Sequence, residues 1–394
     1  MNKREVVVLS GVRTAIGDYG GALKEVAPTE LAAKVVHEAV IRAKINTDEI
    51  RHLIFGNVIH GEAKDMYLAR VACINGGLPQ HTAALTVNRL CGSGLQAIIS
   101  AAQNILLNDT EVAVAGGAES MSRSGYLLPA LRWGQRMHNG GAVDMMMGAL
   151  TDPFDQTHMG ITAENIATKW KISREEQDLF AVESHRRAVN AIKHGYFKEQ
   201  ILPIEKLTRE GAITFESDEH PREQLSIEAL AKLPAVFQET GSVTAGNASG
   251  INDSAAAMVL MEGHAAERQG LKPMARLVSY GHAGVDPKFM GMGPIPAVQN
   301  ALQRAGLKVA DMDVVESNEA FAVQACAVAK VLHFDPEKTN PNGGAVALGH
   351  PIGATGCILS IKAIYELHRS GGRYALVTMC IGGGQGIAAV FERL

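Results

Sequence analysis

Cys91 stands in NRLCGSGL (88–95), between a polar turn and two glycines, with an apolar-striped segment following at once. A thiol there could fill core, ligate a metal, form half of a disulfide or act as a nucleophile. Apolar residues at 95, 98, 99, 102, 105 and 106 have helical spacing and predict a helix over 95–107. Cys91 then lies at the mouth of that helix. A helix start carries partial positive charge and unpaired N–H groups, which favour a thiolate and lower a thiol's pKa. Gly92 and Gly94 keep the approach open to a ligand. A buried cysteine at a tight turn is the competing reading.

Three stretches near the C-terminus carry further reactive groups. ESNEAF (316–321) follows a strand ending in DVV, and GGAVALGHPIGATG (343–356) places His350 in an uncharged loop before a helix. CIGGGQG (380–386) puts Cys380 directly after the strand ALVTM. Ligands of open α/β sheets gather beyond the carboxyl ends of strands. Each stretch also has a structural reading: His350 a turn residue before proline, Cys380 buried and inert, Asn318 closing a turn, Gly382–Gly384 a flexible bend. The GSG and GATG turns lack the full G-x-G-x-x-G, the acidic residue downstream and any Walker A lysine, so nucleotide signals are weak.

The elements that position these groups recur. Strands are expected at 5–11, 52–58 and 111–117 and a helix at 31–43. HEAVIRA (37–43) matches QNALQRA (299–305), CGSGLQAIISA (91–101) matches GATGCILSIKA (353–363), and TEVAVAG (110–116) matches GRYALVT (372–378). All three pairs share an offset of 262 residues, as from Cys91 to Gly353. Ordered matches at one shift argue for a duplicated α/β unit. Pseudo-twofold packing would bring the two helix mouths together. From about 120 to 249 the texture changes: charged residues concentrate, KISREEQDLFAVESHRRA reads as a polar amphipathic helix, and Met145–Met147 cluster. This reads as an insertion, its methionines serving packing or subunit contact.

The totals exclude several classes. The 394 residues are 46% hydrophobic and 20% charged, with a net charge of −4 and no long basic block, which argues against nucleic acid or anionic membrane as partner. The N-terminal apolar run is too short for a secretory signal. The longest charge-free stretch, 339–361, is rich in Gly and Pro and cannot be a membrane helix. A cytoplasmic protein is expected. The five cysteines are odd in number and lack C-x-x-C, so neither a disulfide framework nor a zinc knuckle is expected. Cys73, Cys326 and Cys357 sit among aliphatic residues as buried hydrophobes. The histidines show no helical metal-ligand spacing, and no metal is expected.

NRLCGSGL, HMGITAEN (158–165), SVTAGNASGIND (242–253), ESNEAF, GGAVALGHPIGATG and CIGGGQG together resemble the thiolase family, through essentially the whole chain and most like the bacterial acetyl-CoA acetyltransferase and β-ketothiolase group. The resemblance implies a duplicated five-layer αβαβα core with an inserted loop domain. It divides the chain as 1–119 plus 250–272, 120–249 and 273–394. It implies a homotetramer, a dimer of dimers, acting on acyl-CoA with no permanently bound cofactor.

In the roles that the resemblance implies, Cys91 is acylated, His350 takes its proton, and Cys380 removes the α-proton of a second acyl-CoA. His350 and a water held by Asn318 form one oxyanion hole; the backbone N–H groups of Cys91 and Gly382 form the other. Leu150, His158, Met159, Arg222, Ser249, Met290 and Phe321 fall where the family binds CoA and the acyl chain, with Arg222 at the nucleotide end. Ala229 replaces a serine of some relatives, and Ser317 a common alanine. A decarboxylating ketoacyl synthase shares such a fold but handles decarboxylation with histidines. This chain has Cys380 instead and lacks a second histidine in a matching place. A catalytically silent lipid carrier or scaffold would be expected to have lost a member of the set Cys91, Asn318, His350 and Cys380.

Overall fold

The computed structural model of the chain describes residues 4–208 and 211–394. The N-terminal copy contributes β1 (Val6–Thr14), α1 (Pro28–Ala43), β2 (Ile50–Gly56), β3 (Ala83–Val87), α2 (Ser93–Leu106), β4 (Val112–Ser120) and β5 (Asn252–Glu262). The C-terminal copy contributes β6 (Ala275–Gly284), α3 (Pro294–Ala305), β7 (Val314–Ser317), α4 (Thr355–Ser370), β8 (Tyr374–Ile381) and β9 (Gln385–Arg393).

The main path of the large sheet runs β7-β8-β9-β6-β1-β5-β4-β2-β3. Read outward from its centre, each half repeats one order: β1, β5, β4, β2 on one side and β6, β9, β8, β7 on the other. The equivalent strands β1 and β6 pair antiparallel at the seam, with Val6 opposite Leu277 and Val8 opposite Ala275. A twofold axis between them requires that antiparallel sense. The offset survives in the register. Ile54 faces Ala115 in one half and Glu316 faces Val377 in the other. Both halves also bulge at matching places, between Val8 and Ser10 and between Leu277 and Ser279.

The helices sort into layers by where their apolar residues point. α1 leaves Glu30, Lys34 and His37 exposed and packs its other face on β1 and β5, outside the sheet. α3 covers β6 and β9 in the same way. α2 and α4 are buried nearly all round, the pattern of a helix enclosed on every side. They pack on each other and touch strands of both halves, which makes them the middle layer of five.

Their crossing explains two glycines. A Cβ on Gly94 would lie 2.9 Å from Cys357 N and 3.0 Å from the Gly353 carbonyl, and one on Gly356 would lie 2.2 Å from Leu95 N. The contact is reciprocal between positions one offset apart. Only glycine lets the two helix starts approach this closely.

Element boundaries differ from the sequence expectation where burial overrides polarity. β1 runs on to Thr14 because Arg13, fully buried, is held by Asp218 of the inserted segment at 2.7 Å. Cys380 lies within β8, not after it, opposite Gly386. The polar helix of the insertion is present as Arg174–Lys193. Cys73, Cys326 and Cys357 are buried, as expected. Among the described residues no helix is long and apolar enough to cross a membrane, and no group of three or more His, Cys, Asp or Glu could hold a metal ion.

Candidate active site

The turn before α2 is built to present Cys91. Leu90 has φ of 46°, a left-handed conformation that costs a non-glycine residue about 1–3 kcal/mol. Local side chains stabilise it. Asn88 Oδ1 accepts from Leu90 N at 2.9 Å, and Ser93 Oγ accepts from Arg89 N at 2.8 Å while donating to Leu90 O at 2.7 Å. The backbone N–H groups of Gly382 and of Cys91 itself both point at the Cys91 sulfur.

The sulfur's electrostatics correct the sequence expectation. Burial pushes the Cys91 thiol up to about 11, with the two N–H groups pulling it down and Glu119 pushing it further up. Desolvation of the thiolate therefore outweighs the helix start, and a base is needed to take the proton. Cys91 keeps partial exposure, and contact with water eases that penalty until a ligand displaces it.

His350 supplies a suitable nitrogen. Thr355 Oγ1 donates to Pro351 O at 2.9 Å, so its 2.7 Å contact with His350 Nδ1 must be accepted from Nδ1–H. That fixes the tautomer and leaves Nε2 with its lone pair, 3.4 Å from the Asn318 amide nitrogen. Burial lowers the imidazole to about 4, so it is neutral at pH 7. Asn252 Oδ1 accepts from His350 N at 3.0 Å and pins the loop. Asn318 is held by its own N–H to Thr378 O at 2.9 Å, and its Oδ1 has no protein partner among the described residues.

Behind Asn318 the ESNEAF strand is anchored by a buried ion pair. Lys362 Nζ donates to Glu316 Oε2 at 2.8 Å and to the Gly343 carbonyl at 2.7 Å. Glu319 joins this loop to the next, accepting from Asn340 Nδ2 at 2.8 Å and Val346 N at 3.1 Å.

Cys380 is fully buried, and its thiol is pushed up by burial and then by the neighbouring Cys91, so the two sulfurs sense each other. After it the chain reverses through Gly383 and Gly384, at φ of 80° and 85°, which is glycine's conformation. At Gly382 the space of a side chain is taken by Met159, whose Cε would lie 2.2 Å from a Cβ. Cys91 itself packs with Ile59, Met121 and Ile352, the last from the His350 loop. The three reactive groups thus converge at the paired helix mouths.

A cleft of about 530 Å³ opens here, lined by Leu150, His158, Ser249, Phe321 and His350 among others. Met159 and Met290 lie behind it in one apolar cluster with Cys380 and Phe321. Arg222 is exposed and does not line the cleft; His220, two residues earlier, does. Ala229 caps onto Ser226, and Ser317 is buried with its hydroxyl unpartnered among the described residues. Sequence reading missed Thr355, Asn252, Glu119, His220 and Phe237, which stacks on His158 at 4.6 Å. Only Thr355 had a signal, as the hydroxyl one turn beyond a loop histidine.

A duplicated α/β core with two thiols and an imidazole at its paired helix mouths is the architecture of one class of condensing enzymes. The chain belongs to the thiolase family: the family model "Thiolase, N-terminal domain" matches residues 6–264 and "Thiolase, C-terminal domain" matches 271–393. It is 65% identical to beta-ketothiolase BktB of Cupriavidus necator over 99% of this chain and 100% of the relative. It is 47% identical to an acetyl-CoA acetyltransferase of Syntrophomonas wolfei, over 99% of this chain and 100% of that one. The crystal structure of human mitochondrial 3-ketoacyl-CoA thiolase superposes with a TM-score of 0.98 at 44% identity, over 100% of both chains. A second structure of that human enzyme, in complex with CoA, gives 0.96 at 43% identity over 99% of this chain and 98% of the other.

Proposed function

We propose that the chain is a β-ketothiolase, an acetyl-CoA C-acyltransferase that works by ping-pong exchange through an acyl-Cys91 thioester. The observation that carries this reading is the meeting at Cys91 of two N–H groups, an imidazole loop with an unprotonated nitrogen and a second thiol. In the first step Cys91 Sγ bonds to the acyl carbon and the CoA sulfur leaves. The Cys91 proton moves to His350 Nε2 and stays there, while the departing CoA thiolate takes its proton from the Cys380 thiol and leaves Cys380 as the thiolate. Exchange of one thioester for another keeps the step near balance. The N–H groups of Cys91 and Gly382 take the charge on the thioester oxygen, each such donor contributing roughly 10²–10³ in rate.

In the second step Cys380 takes the α-proton of another acyl-CoA. Its α-carbon bonds to the acyl carbon, the bond to Cys91 breaks, and the released Cys91 thiolate recovers its proton from His350 Nε2 while Cys380 keeps the α-proton, which restores the starting state. The Nε2–H of His350, protonated in the first step, and a water held by Asn318 face the enolate oxygen. Thiolysis of a 3-ketoacyl-CoA runs the same steps backwards.

Leu150, His158, Ser249 and Phe321 hold the pantetheine arm, Met159 and Met290 bound the acyl pocket, and Arg222 meets the nucleotide end from outside the cleft. The CoA complex of the human relative supports acyl-CoA as the ligand class. No permanent cofactor or metal takes part. The reading includes the insertion 120–249 set between halves 1–119 plus 250–272 and 273–394, supported by the mirrored strand order. It also includes a cytoplasmic homotetramer serving fatty-acid metabolism. Support for assembly lies in the segment around 126–147, where Leu131, Trp133 and Met137 are 65%, 90% and 73% exposed. Such apolar exposure marks a contact surface.

Incubation with acetyl-CoA followed by peptide mass spectrometry should find the acetyl group on Cys91. Thiolysis of acetoacetyl-, 3-ketovaleryl- and 3-ketohexanoyl-CoA should fall roughly 10⁴-fold or more in Cys91→Ala. Undiminished turnover in that variant ends the reading.

A further inference from the structure

Glu119, at the end of β4, is fully buried, and no step above uses it. Its two oxygens accept four N–H groups. Oε1 takes Asn57 Nδ2 at 3.0 Å and Ile59 N at 3.1 Å; Oε2 takes Val58 N at 3.1 Å and Gly353 N at 2.9 Å. Three donors come from the loop after β2 in its own half. The fourth belongs to the other half, three residues beyond His350. Those backbone donors lie outside any strand ladder, so each needs an acceptor when buried. Glycines leave room for the junction. The Gly353 carbonyl would lie 2.7 Å from a Cβ on Gly56 and 2.0 Å from one on Gly117, while a Cβ on Gly353 would lie 2.6 Å from Glu119 Oε2. Ile59, itself a donor, and Ile352, next to Gly353, belong with Met121 to the cluster packed against Cys91.

We propose that Glu119 is a positioning residue of the acyl-transfer site, clamping the His350 loop of one half to the Cys91 wall of the other. The proposal rests on the thiolase reading for its chemistry, and on the four hydrogen bonds for its geometry. An apolar side chain of equal size would fill the space, as Ile381 does one offset away, and would leave four donors unmet. Burial pushes the Glu119 carboxyl up to about 8, against the pull of its donors, so it is ionised where Cys91 titrates near 11. The Glu119 charge raises the Cys91 thiol, and Cys91 in turn raises Cys380.

The test measures acetoacetyl-CoA thiolysis, the pH midpoint of Cys91 alkylation by iodoacetamide, and thermal melting, in wild type, Glu119→Gln and Glu119→Asp. Both variants should lose roughly 10–100-fold in kcat, with KM within about twofold, because the imidazole is misplaced by a fraction of an ångström to an ångström. The alkylation midpoint should move to lower pH in Glu119→Gln, which removes a like charge, and stay in Glu119→Asp, which keeps the charge and shortens the reach. A kcat within about twofold of wild type in either variant overturns the proposal, as does a KM that climbs in step with a falling Tm. If Glu119→Gln does not fold, Asn57→Ala removes one donor and keeps the carboxylate; a several-fold lower kcat supports the proposal and an unchanged kcat overturns it. Wild type inert towards every 3-ketoacyl-CoA would instead defeat the thiolase reading, and the alkylation midpoints would still decide whether Glu119 is placed as proposed.

Discussion

The two halves share one frame, yet at the offset of 262 Asn318, His350 and Cys380 of the C-terminal half stand where the N-terminal half has Gly56, Asn88 and Ala118. Cys91 in turn stands where the C-terminal half has Gly353. One half offers a thiol and small residues; the other offers an imidazole, a second thiol and an amide. The glycines show why. The Gly353 carbonyl occupies the space that side chains on Gly56 and Gly117 would fill. A helix mouth crowded by its own reactive loop could not admit the loop of its partner, so duplication followed by division of labour gives a site that neither half holds alone.

The division extends inward. The buried pair Glu316–Lys362 has Ile54 and Ser100 as its counterparts. The half that carries Asn318 and His350 anchors those loops with charge, and the half that carries Cys91 fills the same place with an aliphatic chain.

The strongest way to break this contrast is to give one half the residues of the other. Cys380→Ala, the residue of the equivalent site, and the gentler Cys380→Ser should spare acetylation of Cys91 and reduce condensation by roughly 10²–10⁴. Burst acylation measured beside condensation separates the steps, and equal loss of both would refute the assigned roles. Next in size is the buried pair. Lys362→Met alone leaves Glu316 buried without its cation and should cost about 3–5 kcal/mol in denaturant unfolding, whereas Glu316→Ile with Lys362→Met should recover most of it. No recovery would show that the pair does more than anchor.

A third test uses pH. The His350 imidazole is held at about 4, below the usual 6.5 for histidine, so the unfolded chain binds a proton between those values that the folded chain refuses. Its contribution to stability is therefore full above about 6.5 and is lost as pH falls towards 4. His350→Asn should remove activity and also flatten the fall in Tm over that window; an unchanged slope would mean that the imidazole is already solvated. The smallest effect is expected at Arg222. Exposed and outside the cleft, Arg222→Ala should raise KM for CoA roughly two- to fivefold with kcat unchanged, in keeping with about 0.5–1 kcal/mol for an exposed ionic contact.

Much of the frame was legible in the chain. Periodicity placed the strands and helices within a few residues, because the spacing of apolar side chains is a direct image of the face each element buries. The constant offset predicted the paired helix mouths. It missed Arg13 at the end of β1, whose burial depends on Asp218 two hundred residues away. The rise in the Cys91 pKa was also hidden, since a helix start is local but the burial beside Ile59, Met121 and Ile352 and the charge of Glu119 come from separate segments. Arg222 carried a family pattern yet lies outside the cleft, because charged surface stretches do not constrain where a side chain points.

By itself the sequence determined the duplicated frame and drew attention to Cys91 and His350 beside helix starts, while Cys380 turned out to lie inside its strand. These follow from patterns that a short window can hold. Tertiary structure alone decided which nitrogen of His350 carries the proton, how far burial moves each thiol, and that a carboxyl at 119 joins the halves. Those properties come from groups that approach only when two distant helix starts cross at Gly94 and Gly356, and no local pattern records what lies across that crossing.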